Sequence, residues 1–121
     1  MPTILLVDDS SVARLAVAKR LEEEGMKVRA VASAAEARRV DVATCDCAII
    51  DVDLDDGTGP DLAAELRATR PELPVAFFTA GESAARPAAP GAQGPVFAKP
   101  DLEPIVAWAR AASRRQPPPT K

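Results

Sequence analysis

A chain of 121 residues accommodates one domain with its own core and leaves no room for a second of ordinary size. Its composition, 47% hydrophobic and 27% charged, is that of a globular protein, and the lack of any histidine excludes Ser-His triads, imidazole general bases and His metal ligands. Acidic residues outnumber basic ones 18 to 15, for a net charge of −3, so neither a nucleic-acid backbone nor an anionic membrane is an expected partner.

The N-terminal MPTILLVDDS lacks the basic start and cleavage region of a signal peptide, and no run approaches the ~20 apolar residues of a membrane span, so the cytoplasm is the expected location. Residues 3–7 (TILLV) form a near-continuous apolar run, the mark of a strand buried on both faces. Ser11 is placed to cap the helix that follows, whose apolar stripe is Ala13, Ala16, Val17 and Leu21, and Gly25 ends it. Residues 27–32 (KVRAVA) alternate as an edge strand does, and Ser33 with Glu36 has the spacing of a capping box. Cys45 and Cys47 flank Asp46. In a strand they share a face, and without further ligands they read as buried thiols, not a zinc site.

Residues 48–52 (AIIDV) give a third strand. Leu62 and Leu66 lie on a helix that stops before Pro71, and residues 74–79 (PVAFFT) give a fourth strand. Residues 82–94 carry Pro87, Pro90, Gly91 and Gly94, which limits any helix there to about one turn near residues 83–86. A short fifth strand spans residues 95–98. Asp101 caps a last helix with the stripe Leu102, Ile105, Val106 and Ala109, and Trp108 lies just off that stripe, placed to pack at the sheet margin. Residues 116–121 (QPPPTK) read as a disordered end or the start of a linker. Strands alternating with helices at this spacing predict a parallel α/β sheet with helices on both faces and its site at the carboxyl ends of the strands.

Those ends carry the chemistry. Asp8 and Asp9 close the first strand, Asp51 and Asp53 the third, Thr79 the fourth, and Lys99 follows the fifth. Crowded carboxylates repel unless a proton or a cation intervenes, and oxygen ligands beside open positions suit Mg²⁺. A cation, an ammonium and a hydroxyl around one carboxylate equip it to attack phosphorus as a nucleophile. Asp55 and Asp56, before Gly57, read as a plain acidic turn.

Four motifs in order, LLVDDS, IIDVDLDDGTG, FFTAG and AKP, resemble the receiver domains of two-component response regulators, of which the chemotaxis regulator is one; the likeness runs from Thr3 to about Ser113. It implies a doubly wound, flavodoxin-like (βα)5 fold with strand order 2-1-3-4-5 and a degenerate fourth helix. The domain is drawn over residues 1–114, with 115–121 as a tail. It implies Asp51 as phosphoacceptor, Asp8, Asp9, Asp51 and the Asp53 carbonyl as Mg²⁺ ligands, Thr79 as switch, Ala80 as a backbone N–H donor and Lys99 as phosphoryl partner, with a cis Lys99–Pro100 bond. The donor is then a phosphohistidine of a sensor histidine kinase or histidine phosphotransfer protein, the output a downstream protein, and the domain a monomer that turns over no separate substrate. Two positions depart from the family pattern: Asp55 stands where proline is usual, and Val96 where an aromatic switch residue is usual, with Phe97 displaced by one and so turned to the opposite face. These departures support an alternative, a pseudo-receiver interaction module not switched by phosphorylation. An aspartate-nucleophile phosphatase, with Asp53 as acid/base, lacks the chain length for a substrate cap.

Overall fold

The computed structural model describes residues 2–80, 94–99 and 101–115, the last two residues in backbone only. Five parallel strands make one sheet: β1 (Thr3–Val7), β2 (Lys27–Val31), β3 (Cys47–Ile50), β6 (Val75–Thr79) and β7 (Val96–Ala98), in the order β2-β1-β3-β6-β7. Counting only these strands, this is the 2-1-3-4-5 order. Two further strands, β4 (Asp53–Leu54) and β5 (Gly57–Thr58), form a small antiparallel ribbon directly after β3. The helices are α1 (Ser11–Glu23), α2 (Ala34–Ala37), α3 (Gly59–Thr69) and α4 (Leu102–Arg115).

Because side chains alternate along a strand, the central strands supply two cores at once. Leu5, Val7, Ala48, Ile50, Val75 and Phe77 face α2 and α3, meeting Ala34, Ala37, Leu62 and Leu66. Ile4, Leu6, Cys47, Ile49, Ala76 and Phe78 face α1 and α4, meeting Val17, Leu21, Ile105, Val106 and Ala109. Burial on both faces is why β1 and β3 read as continuous apolar runs, and each fully buried Leu, Ile or Phe contributes roughly 1.5–3 kcal/mol. Strand β2, at the edge, is mostly exposed, which accounts for its alternating, charged sequence. An ion-pair cluster, Arg20 with Glu24 and Glu103 and Arg110 with Glu24, ties α1 to α4.

Several local expectations shift. Ser10, not Ser11, is the N-cap of α1; its hydroxyl accepts from the Ala13 N–H. The stripe expected on α1 is only half realised: Val17 and Leu21 are buried, Ala13 is intermediate and Ala16 exposed, as are Val12 and Leu15. Gly25 does end the helix, with φ of +86°, and the Met26 N–H returns to the Leu21 carbonyl. Ser33 caps α2 and Glu36 reaches back, though to the N–H of Ala32, and the helix lasts four residues.

Cys45 and Cys47 are both buried but lie on opposite faces of the sheet, Cys45 in the α2/α3 core and Cys47 in the α1/α4 core. The strand begins only at Cys47, and a 3-10 turn at Val42–Thr44 delivers Cys45, so strand alternation does not govern the pair. Trp108 packs beside the α1/α4 core. Helix α4 runs to Arg115, one residue past the boundary drawn at 114. The expectations for a degenerate helix over residues 82–93, for a cis bond to Pro100 and for the tail over residues 116–121 lie outside the described residues.

Candidate functional site

The register brings the acidic residues together. Val7 pairs with Ile50, so the next residues, Asp8 and Asp51, emerge side by side at neighbouring strand ends, and the Asp51 N–H still bonds the Val7 carbonyl at 2.9 Å. Phe77 pairs with Ile50 and Thr79 with Ala98, which sets Thr79 and Lys99 along the same rim. Lys99 is fixed there by its N–H bond to the Thr79 carbonyl, 2.8 Å.

Asp8 is 1% exposed and Asp51 7%, a costly placement for carboxylates without partners. Lys99 supplies it. Its Nζ lies 2.9 Å from Oδ2 of Asp8 and 3.0 Å from Oδ2 of Asp51. The remaining oxygens accept backbone hydrogen bonds, Asp8 Oδ1 from the Ser10 N–H at 2.9 Å and Asp51 Oδ1 from the Asp53 N–H at 3.2 Å. Arg14, reaching back from α1, donates Nη1 to the Asp8 carbonyl at 2.7 Å and fixes the loop that carries both acids. Burial lowers the Lys99 pKa, but the hydrogen bonds it donates to Asp8 and Asp51 more than reverse this, leaving it above the ordinary lysine value. The ammonium also lies 5.9 Å from the centroid of the Phe78 ring.

Asp9 is half-exposed. Desolvation first, then a hydrogen bond with Asp55 and the charges of Asp55, Asp51 and Asp8, raise its pKa above the usual 3.8. One carboxylate oxygen from each of Asp8, Asp9 and Asp51 can be chosen so that all lie within 4.8 Å of one another. A donor set made wholly of oxygens, on an incompletely neutralised acidic cluster, fits a hard divalent cation such as Mg²⁺. The Asp53 carboxylate is not in that trio; its residue is exposed and opens β4. Thr79 is buried at the end of β6 and Ala80 exposed just beyond it.

The backbone after Asp51 is shaped by Gly59. A Cβ there would overlap the Asp51 carbonyl oxygen, so only glycine lets the start of α3 press against the acceptor segment; the Gly59 N–H bonds the Val52 carbonyl at 2.7 Å. The acidic pair at the ribbon turn is more than a plain turn. Both oxygens of Asp56 accept N–H groups at the start of α2, those of Ala34 and Ala35, at 3.0 Å each. Sequence reasoning missed this role, and also Arg14 and the contact of Asp55 with Asp9; none lies within a repeat or strand period that would have flagged it. Val96 packs against the α2/α3 core and Phe97 against the α1/α4 core, the opposite orientation that alternation predicts.

The family model described as the response regulator receiver domain matches residues 4–105. Among curated proteins none matches. A response regulator receiver domain protein from Clostridium thermocellum superposes with a TM-score of 0.83 at 22% identity, covering 95% of this chain and 96% of its own. The non-phosphorylated HemR receiver domain from Leptospira biflexa gives 0.79 at 26% identity over 98% of each chain. The response regulator TrrA from Thermotoga maritima, in complex with Mg²⁺-BeF, gives 0.80 at 21% identity over 93% of this chain and 99% of that one. With the parallel sheet in the order 2-1-3-4-5 and the acidic residues at its strand ends, the chain belongs to the response regulator receiver domain family of two-component signalling.

Proposed function

We propose that this domain is a phosphoacceptor that takes a phosphoryl group onto Asp51 from the phosphohistidine of a sensor histidine kinase or a histidine phosphotransfer protein. The observation that carries the reading is the convergence on Asp51: a nearly buried carboxylate, with Lys99 at 3.0 Å and Asp8 and Asp9 close enough to share one cation. An Asp51 oxygen attacks phosphorus, the P–N bond breaks, and its electron pair leaves on the imidazole nitrogen, which takes a proton from solvent. In this reading Lys99 pairs with the phosphoryl oxygens, Thr79 donates its hydroxyl, and Ala80 offers its N–H. Asp8, Asp9, Asp51 and the Asp53 carbonyl would hold Mg²⁺, which when bound neutralises charge on the oxygens around phosphorus. The acyl phosphate is a signal passed to a downstream protein or along a relay, with no separate substrate turned over. We place the domain in the cytoplasm as a monomer; among the described residues no helix is long and apolar enough to cross a membrane.

Incubation with acetyl phosphate and Mg²⁺, followed by intact-mass measurement, tests this: a gain of one phosphoryl group that Asp51→Asn abolishes is expected. No gain under trapping conditions counts against it. One observation favours a second reading, a pseudo-receiver module. Val96 occupies the position of an aromatic switch and Phe97 packs, partly buried, against the opposite core. A domain that binds its partner equally well as Asp51→Asn and wild type, with or without acetyl phosphate, would fit that reading.

A further inference from the structure

The ribbon after Asp51 is tied at both ends. At its base the Asp53 N–H donates to Oδ1 of Asp51 at 3.2 Å, the long end of such a bond. Asp53 pairs with Thr58 and Leu54 with Gly57, so Asp55 and Asp56 make a two-residue turn at the tip. There the Asp56 carboxylate spreads over two N–H groups of another element, Oδ1 accepting from Ala34 and Oδ2 from Ala35, both at 3.0 Å. Between base and tip, Leu54 is buried in the core that α2 and α3 share.

Neither partner in this clamp stands alone. Helix α2 has four residues, too few to hold a helix by propensity, and the ribbon has two residue pairs, too few to hold a hairpin. The start of α2 already has its own cap, since the Ser33 hydroxyl accepts the Glu36 N–H at 3.1 Å. A second cap, supplied from 22 residues away, therefore fixes the ribbon as much as the helix. We infer that Asp56 is a positioning residue of the acceptor site: by clamping the β4–β5 ribbon to α2 it holds the Asp53 main chain against Asp51, and α2 in turn tightens when the site is filled. The inference rests on the phosphoacceptor reading, in which the Asp53 carbonyl is a cation ligand, and adds to it a residue that acts through the ribbon. A cation held by Asp51 and that carbonyl grips the ribbon at its base, while Asp56 grips it at its tip. Coupling of this kind is reciprocal: the factor by which the clamp raises cation affinity is the factor by which the cation stabilises the clamp.

Two measurements on the whole chain test this: calorimetric titration with MgCl₂, and hydrogen exchange of the Ala34 and Ala35 amides with and without saturating MgCl₂. The titrations are run at about 1 M ionic strength, where the screening length of about 3 Å removes the bare effect of a lost charge. Asp56→Asn keeps the side chain's shape but turns an NH₂ group toward one of the two N–H donors. It is expected to bind Mg²⁺ about 5-fold more weakly than wild type, the low end of coupling between sites. In wild type, saturating Mg²⁺ should slow exchange at Ala34 and Ala35 by a similar factor, an effect that Asp56→Asn loses. Ser33→Ala removes the other cap of α2 and leaves the ribbon alone. It should lower the melting temperature yet bind Mg²⁺ as wild type does. Wild-type affinity in Asp56→Asn, exchange at Ala34 and Ala35 that ignores Mg²⁺, or an equal loss of affinity in Ser33→Ala would each overturn the role of Asp56. The exchange measurement on wild type needs no variant, so it decides even where Asp56→Asn does not fold. If wild type shows no saturable response, or Asp51→Asn binds as wild type does, the phosphoacceptor reading itself fails and the role of Asp56 falls with it.

Discussion

The Lys99 ammonium lies 3.0 Å from Oδ2 of Asp51, although 48 residues separate the two in sequence, and 2.9 Å from Oδ2 of Asp8. Lys99 is thus the resident counter-charge of two nearly buried carboxylates. Lys99→Met leaves them facing each other. In the presence of EDTA this should cost about 3 kcal/mol in urea unfolding, the low end of what breaking a buried pair costs. Mg²⁺ should recover part of the loss, since a bound cation replaces the missing charge. A loss that is the same with and without Mg²⁺ would show that no cation shares these carboxylates.

Gly59 gives a second test. Its close approach to the Asp51 carbonyl leaves no space for a methyl group, so Gly59→Ala must push α3 away from the acceptor segment. A destabilisation of about 2–3 kcal/mol in denaturant unfolding is expected, together with slower phosphorylation by acetyl phosphate. A fully stable Gly59→Ala protein would show that α3 can move without consequence.

The strands and most of the site were legible in the sequence because β1, β3 and β6 are buried on both faces, which leaves no charged residue inside them to blur the runs. An acid at the edge of such a run, as Asp8 and Asp51 are, stands out as costly. What was illegible depends on distance or on single-residue offsets. Ser10 and Ser11 are chemically alike, and only the turn of the backbone selects Ser10 as the cap. The two-residue strands β4 and β5 are too short to show a period, so the roles of Asp55 and Asp56 were hidden. Asp56 caps a helix that begins 22 residues earlier, a partnership made by the fold alone. Cys45 misled because the rule of alternation was applied two residues before the strand begins.

The grip of Asp56 on α2 predicts a pH dependence. Hydrogen bonds from the Ala34 and Ala35 N–H groups, in that order, lower the Asp56 pKa below the usual 3.8. A carboxyl group depressed in the folded state contributes stability above its unfolded pKa and loses it as pH falls through the folded one. The amide signals of Ala34 and Ala35 should therefore hold steady down to about pH 4 and shift together below it, and Asp56→Asn should remove that step. Amide shifts that move with the ordinary carboxylate midpoint would mean the cap does not hold in solution.

The cysteines supply the alkaline counterpart. Burial raises the Cys47 pKa to about 12 and raises that of Cys45 as well, above the ordinary thiol value of 9.0. Both thiols are therefore fully protonated at pH 8 in the folded chain, and the thiolate is the reactive form. A thiol-exchange reagent should label neither in the native protein and both in denaturant. Because folding raises the Cys47 pKa, its contribution to stability is complete below pH 9 and is lost as pH climbs through about 12. Replacing Cys47 by Ala should flatten that alkaline loss, at the expense of a small cavity in the α1/α4 core. Fast native-state labelling of either thiol would contradict the two-sided burial that separates Cys45 from Cys47, and with it the placement of the first turn of β3.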